Sequence, residues 1–102
     1  MEEMNRIQLY EKAVRTFGIN AQMDMVIEEC SELINAICKY RRGRVKEEDV
    51  ITEIADVQIM CEQLAHWFGD VNVEAEKEYK LKRLCERLKA HKEKNRLKDA
   101  EL

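Results

Sequence analysis

Four carboxylates stand out in this 102-residue chain by type and spacing: Glu29-x-x-Glu32, within "VIEECSELINAIC", and, after twenty intervening residues, Glu53-x-x-Asp56. Residues three apart lie on one face of a helix, so each pair can turn its oxygens toward a common point. No Lys or Arg occurs in residues 22–38 or 50–65, although the chain holds eighteen. A solvated helix face ordinarily mixes the two signs. Met25, Ala36 and Met60 set apolar surface beside the carboxylates, which predicts partial burial. Like charges gathered in a partly dry space must take up protons or bind a cation. Oxygen donors suit a hard divalent ion such as Mg2+ or Mn2+, and Mg2+ completes its sphere with waters and substrate phosphates. The pattern therefore points to phosphate chemistry.

Other metal chemistries fit poorly. A di-iron bundle site needs Glu-x-x-His, and neither His66 nor His91 has a glutamate three residues before it. Cys30, Cys38, Cys61 and Cys85 show no C-x-x-C spacing. That argues against zinc and against a disulfide framework, and their apolar neighbours predict reduced core residues. A net charge of −3 does not suit a binder of nucleic-acid polymers. No apolar run approaches the ~20 residues of a membrane span, and the opening "MEEMNRIQLY" has neither a basic region nor an apolar one. A soluble, cytoplasmic protein without membrane contact is the expectation.

The elements that must position these carboxylates are helices. There is no proline, and three glycines punctuate long stretches of strong helix formers. The expected fold is all-α, a single domain over residues 1–102. Ile7, Tyr10, Val14 and Phe17 mark a first helix over residues 3–16, stopped by Gly18. Asn20 is a plausible N-cap for a second helix reaching about Arg42, with a stripe of Met23, Val26, Ile27, Cys30, Leu33, Ile34 and Ile37. After "RRGRVK", a third helix carries Val50, Ile51, Ile54, Val57, Cys61, Leu64, Ala65 and Phe68 up to Gly69. A fourth starts near Asn72 or Val73 and carries Tyr79, Leu81, Leu84, Cys85 and Leu88. Residues 90–102 read as its solvated, fraying tail. A shift of 24 residues superposes Val26 on Val50, Glu29 on Glu53, Glu32 on Asp56 and Leu33 on Val57. If the short connection makes the second and third helices antiparallel neighbours, the two acidic pairs can face one shared space.

With Glu29-x-x-Glu32, the spacer and Glu53-x-x-Asp56 in place, and with "EECSEL" and "EIADV" around them, the chain resembles the MazG-like, all-α nucleotide pyrophosphohydrolases. The resemblance is strongest over residues 20–68 and extends more weakly over "EKEYKLKRLCERL". It implies a four-helix MazG-like bundle completed by homo-oligomerisation, as a dimer or tetramer. It implies Mg2+-dependent hydrolysis of a nucleoside triphosphate between the α and β phosphates, giving a monophosphate and pyrophosphate. Carried over by position, Glu29, Glu32, Glu53 and Asp56 would be the metal ligands and catalytic carboxylates. Glu28, one residue away on another azimuth, is a supporting or surface group.

For the substrate's negative charge, Lys39 stands with Arg41, Arg42 and Arg44 where the second helix ends. The same charges also complement a helix C-terminus. Lys80 and Arg83 match basic positions of the family's last helix, although Lys77, Lys82 and Arg87 leave the register open. Trp67, Phe68, Tyr40 and Tyr79 can stack on a base, with Phe68 on the core stripe and Trp67 off it as a pocket or interface residue. Gln22 and Asn35 are polar candidates that fit a surface role equally well. Met25, Ala36, Ile59, Met60 and Trp67 lie outside the main stripes, and they too predict self-association. Two rivals remain open: a helical interaction module whose acidic flank carries no chemistry, and a related dUTP, dCTP or phosphoribosyl-ATP pyrophosphohydrolase.

Overall fold

The computed structural model describes residues 3–101. The two residues before them and Leu102, which belong to the 1–102 span and to its tail, lie outside the described residues. The fold is all-α: the described residues form α1 (Arg6–Phe17), α2 (Ile19–Arg41), α3 (Glu47–Phe68) and α4 (Asp70–Ala100), with no strand among them. Two compact units divide the chain between Phe68 and Gly69.

In the first unit, α1 begins with a capping box. The Gln8 N–H donates to Asn5 Oδ1 at 2.8 Å and the Asn5 N–H donates to Gln8 Oε1 at 3.0 Å, so two orphan donors of the first turn are satisfied. The first helix accordingly starts at Arg6, later than the apolar pattern suggested. Gly18, at φ 88°, takes over both flanking roles. Its N–H donates to the Val14 carbonyl at 2.8 Å, closing α1, and its own carbonyl accepts from the Gln22 N–H at 3.1 Å. Asn20 is therefore not a cap but lies in the first turn of α2. At the other end of α2, Gly43 adopts φ 70°. The Gly43 N–H reaches the Tyr40 carbonyl and the Arg44 N–H reaches the Lys39 carbonyl, both at 2.9 Å, which is the Schellman arrangement that only a left-handed residue allows cheaply. Four residues after Gly43, α3 starts under Asp49, whose Oδ2 accepts from the Lys46 N–H at 2.9 Å.

The short link lays α3 antiparallel beside α2, and α1 packs against both. Polar groups tie α1 down. Tyr10 donates its hydroxyl to Glu62, Arg6 Nη1 stands 3.2 Å from Glu62 Oε2, and His66 Nε2 lies 3.0 Å from Glu11 Oε1. Tyr10 is buried.

The α2–α3 seam differs from the expected stripes. On α2 the shielded residues include Gln22, Val26, Glu29, Leu33 and Ala36, spaced four and three in alternation, with Met23 and Cys30 of the expected stripe beside them, while Ile27, Ile34 and Ile37 face outward. On α3 they include Val50, Glu53, Asp56, Val57, Met60, Gln63 and Leu64, with Ala65 and His66 also part-covered and Ile51, Ile54, Cys61 and Phe68 outward. Both helices are rotated toward their carboxylates, so Glu29 and Glu53 lie on the seam instead of on its flank. The reading of the cysteines as core residues is corrected too. All four are free, but the rotation turns Cys38 and Cys61 outward, Cys85 on α4 is exposed as well, and only Cys30 is partly covered.

The second unit is α4, 31 residues long, which at 1.5 Å per residue spans about 46 Å. None of its residues is buried. It begins at Asp70, slightly before the expected start, and stays helical through residues 90–100. Local pairs support it: Lys77 with Glu74 at 3.3 Å, Arg96 with Glu93 at 2.6 Å, and the Arg83 guanidinium 5.9 Å from the centre of the Tyr79 ring. Among the described residues no helix is long and apolar enough to cross a membrane.

Candidate functional site

The register of α2 against α3 is pinned by two buried amides, Gln63 Nε2 donating to Gln22 Oε1 at 2.6 Å. Seven residues forward from Gln22 stands Glu29, and seven back from Gln63 stands Asp56. Three residues further along each helix come Glu32 and Glu53. Seven residues are nearly two whole turns, so all these side chains return to the face that carries the amides. An antiparallel crossing in this register sets Glu29 opposite Asp56 and Glu32 opposite Glu53. The 24-residue repeat thus meets itself head to tail, the first carboxylate of each pair facing the second of the other.

The distances agree. Glu29, Glu53 and Asp56 each offer an oxygen, and the three oxygens lie within 4.8 Å of one another. All three residues are half-buried. Glu32 is exposed. The Glu29 carboxyl is pushed above the usual carboxylate range, first by desolvation and then by the charges of Glu32, Asp56, Glu53 and Glu28. Glu53 is raised as well, by desolvation, by the charges of Glu32 and Asp56, and by a side-chain hydrogen bond with Glu32 that needs a proton between two carboxylates. The four predicted residues therefore act on one another as a single acidic cluster.

Two oxygens of the cluster, Glu29 Oε2 and Glu53 Oε2, are shielded from solvent and have no hydrogen-bond partner. A buried carboxylate oxygen left unpaired is unfavourable unless something neutralises it. The donor set is oxygen alone and three of its members converge, so the residues suit a hard divalent cation such as Mg2+. Exposed acidic clusters occur without any ion; the shielded, unpartnered oxygens set this one apart.

The basic residues are arranged differently. Lys39 is exposed on the last turn of α2, ten residues and about 15 Å of helix beyond Glu29. Its carbonyl accepts from the N–H groups of Arg42 and Arg44 where the helix closes. Arg41, Arg42 and Arg44 are exposed beside it. Lys80 and Arg83 are exposed on α4, in the second unit.

Sequence reasoning passed over two contributors, Gln63 and Glu62. Gln22, a polar candidate for which a surface role stood equally open, is buried against Gln63. Their seven-residue offsets from Glu29 and Asp56 were the available signal. Glu62 gathers Tyr10 and Arg6 from α1, a long-range convergence that no local pattern encodes. No family model, curated protein or solved structure matches this chain.

Proposed function

We propose that this protein is a MazG-like nucleotide pyrophosphohydrolase that cleaves nucleoside triphosphates between the α and β phosphates with Mg2+ or Mn2+. The observation that carries the reading is the pair of shielded, unpartnered oxygens on Glu29 and Glu53, within a cluster that also holds Asp56. Glu29, Glu53 and Asp56 would hold the cation, with Glu32 completing the set from the exposed rim. When bound, the ion neutralises phosphate charge and lowers the pKa of a water for in-line attack on phosphorus. The chain's own part is to keep the carboxylates converged and partly dry. The Gln22–Gln63 bond does the first by holding the register, and the seam neighbours Val26, Leu33 and Val57 do the second.

The reading includes self-association as a dimer or tetramer, with the bundle completed by a second copy. Its support is the apolar surface left open on the outer sides of α2 and α3: Ile27 is 69% exposed, Ile34 63%, Ile51 55% and Phe68 64%. Several large apolar side chains left open on neighbouring helices are the kind of surface that an interaction site covers.

The test is pyrophosphate release from a panel of ribo- and deoxynucleoside triphosphates, beside the Glu53→Gln/Asp56→Asn variant. Release is expected from the wild type, and a fall of roughly a hundred-fold or more in the variant, since even groups that only support metal ligands account for about ten- to a hundred-fold. Helicity should be unchanged. No release from any nucleotide, with no Mg2+-dependent nucleotide binding, overturns the reading in favour of an interaction module.

A further inference from the structure

Asp56, Gln63 and Trp67 follow one line along α3. At 100° per residue the second lies about 20° from the azimuth of the first, and the third about 20° on the other side. At 1.5 Å per residue Gln63 stands about 10 Å, and Trp67 about 16 Å, beyond Asp56. Where this line passes α1 there is a cavity of about 280 Å3, walled by Tyr10, Val14 and Arg15 of α1 and by Gln63, His66 and Trp67 of α3. That is just under the ~300 Å3 at which small-molecule sites begin.

Its lining is chemically mixed in an ordered way. Gln63, only 6% exposed, is one of two buried polar side chains among the described residues, and it spends one N–H on Gln22. A primary amide has a second N–H and a carbonyl oxygen besides, the complement of an edge that carries a donor beside an acceptor. Trp67 is 52% exposed, Val14 adds an apolar wall, and Arg15 with the Glu11–His66 pair makes a charged rim. Aromatic rings of this kind take a planar base by stacking, and glutamine is a known partner for a base edge.

We propose that this cavity takes the nucleobase of the nucleotide whose phosphates lie at the carboxylates, Trp67 stacking on the ring and Gln63 contacting its edge. The inference rests on the hydrolase reading for the phosphates. The spacing fits, because a sugar and one phosphate separate the base from the bond to be cut, a span of the same order as the ~10 Å of helix rise between Gln63 and Asp56.

Trp67 is the sole tryptophan of the chain, so its emission reports on this cavity alone. The experiment is a titration of Trp67 fluorescence with nucleosides, with nucleoside triphosphates and Mg2+, and with inorganic tripolyphosphate and Mg2+. It is run on the wild type, on Glu53→Gln/Asp56→Asn and on Val14→Phe, which fills the cavity from α1. Saturable quenching by nucleosides and triphosphates but not by tripolyphosphate is expected, retained for nucleosides in the carboxylate variant. Val14→Phe should abolish it and raise KM for hydrolysis roughly ten-fold, as loss of one stacked base would. Pyrophosphate release at the same rate for every base, with Trp67 unresponsive, overturns the cavity assignment and leaves the hydrolase standing. Quenching by tripolyphosphate equal to that by triphosphates also overturns it. Nucleoside quenching that Val14→Phe removes, without release from any triphosphate, retains the cavity and overturns the hydrolase reading.

Discussion

Gln63 Nε2 donates to Gln22 Oε1 at 2.6 Å inside the α2–α3 seam. The bond joins two amides that are 6% and 8% exposed, one heptad away from Asp56 and Glu29 respectively. A paired buried amide contributes little net stability, but a wrong register leaves both amides unpaired, so the bond selects the alignment in which the carboxylates face one another. Slippage along either helix would undo the facing of Glu29 with Asp56.

Replacing one amide tests this. Gln63→Leu leaves the Gln22 side chain buried without a partner and should destabilise the protein by about 1–3 kcal/mol. Gln22→Leu/Gln63→Leu should regain most of the loss. Urea denaturation of the four proteins of the double-mutant cycle gives the coupling energy, and purely additive losses would deny the pair its role.

If the acidic cluster holds Mg2+ as proposed, stability should depend on pH and on Mg2+ together. Glu29 and Glu53 have carboxyl pKa values raised in the folded state, so the fold holds their protons more tightly than the unfolded chain does. Their favourable contribution is complete below the unfolded value of about 4.3. It is lost as pH rises through the raised folded values. The cation-free protein should therefore carry a destabilising load at pH 7 that Mg2+ relieves. Thermal melts should show Mg2+ raising Tm at pH 7 and much less at pH 4. Glu53→Gln should raise the cation-free Tm at pH 7 and diminish the response to Mg2+.

Proton release provides a separate measurement on the same groups. Where Glu29 and Glu53 still hold protons, a cation must displace them. Mg2+ added to weakly buffered protein at mildly acid pH should acidify the solution, and the signal should shrink as the starting pH is raised. Constant proton release across that range would contradict the assignment of the ion to these carboxylates.

Tyr10 governs the alkaline limit. Its hydroxyl is pushed up to about 12 by burial, then by its hydrogen bond to Glu62 and the charge of that residue, with Arg6 opposing. A raised folded value means a contribution that is intact below pH 10 and disappears as pH climbs through 12. Tyr10→Phe should destabilise the protein by about 1 kcal/mol at pH 7, and its stability should fall less between pH 10 and 12 than that of the wild type. Ultraviolet titration of tyrosinate alongside circular dichroism checks both.

Self-association predicts the effect of charge on the open faces of α2 and α3. Ile27→Lys/Ile54→Lys touches neither the seam nor the carboxylates and should reduce the sedimentation mass to that of one chain while helicity persists. A wild type that already sediments as one chain would remove the interface from the proposed function.

The sequence by itself determined the all-α class, the breaks at Gly18, Gly43 and Gly69, and the two acidic pairs. Each of these is local: helix propensity, a positive φ that suits glycine, and a three-residue spacing act within one turn or two. Periodicity also gave every side chain an azimuth on its own helix. It did not say which azimuth meets a neighbour, because the apolar arcs of α2 and α3 are wide enough for several rotations. Tertiary packing chose the rotation that puts Glu29 and Glu53 on the seam and leaves Ile27, Ile34, Ile54 and Cys61 outside. It also decided that Gln22 and Gln63 are buried against each other and that Glu62 collects Tyr10 and Arg6. Those contacts join residues 41 to 56 positions apart in the chain. Only the packed helices bring such residues close enough for hydrogen bonding to select among the rotations that hydrophobic burial alone would allow.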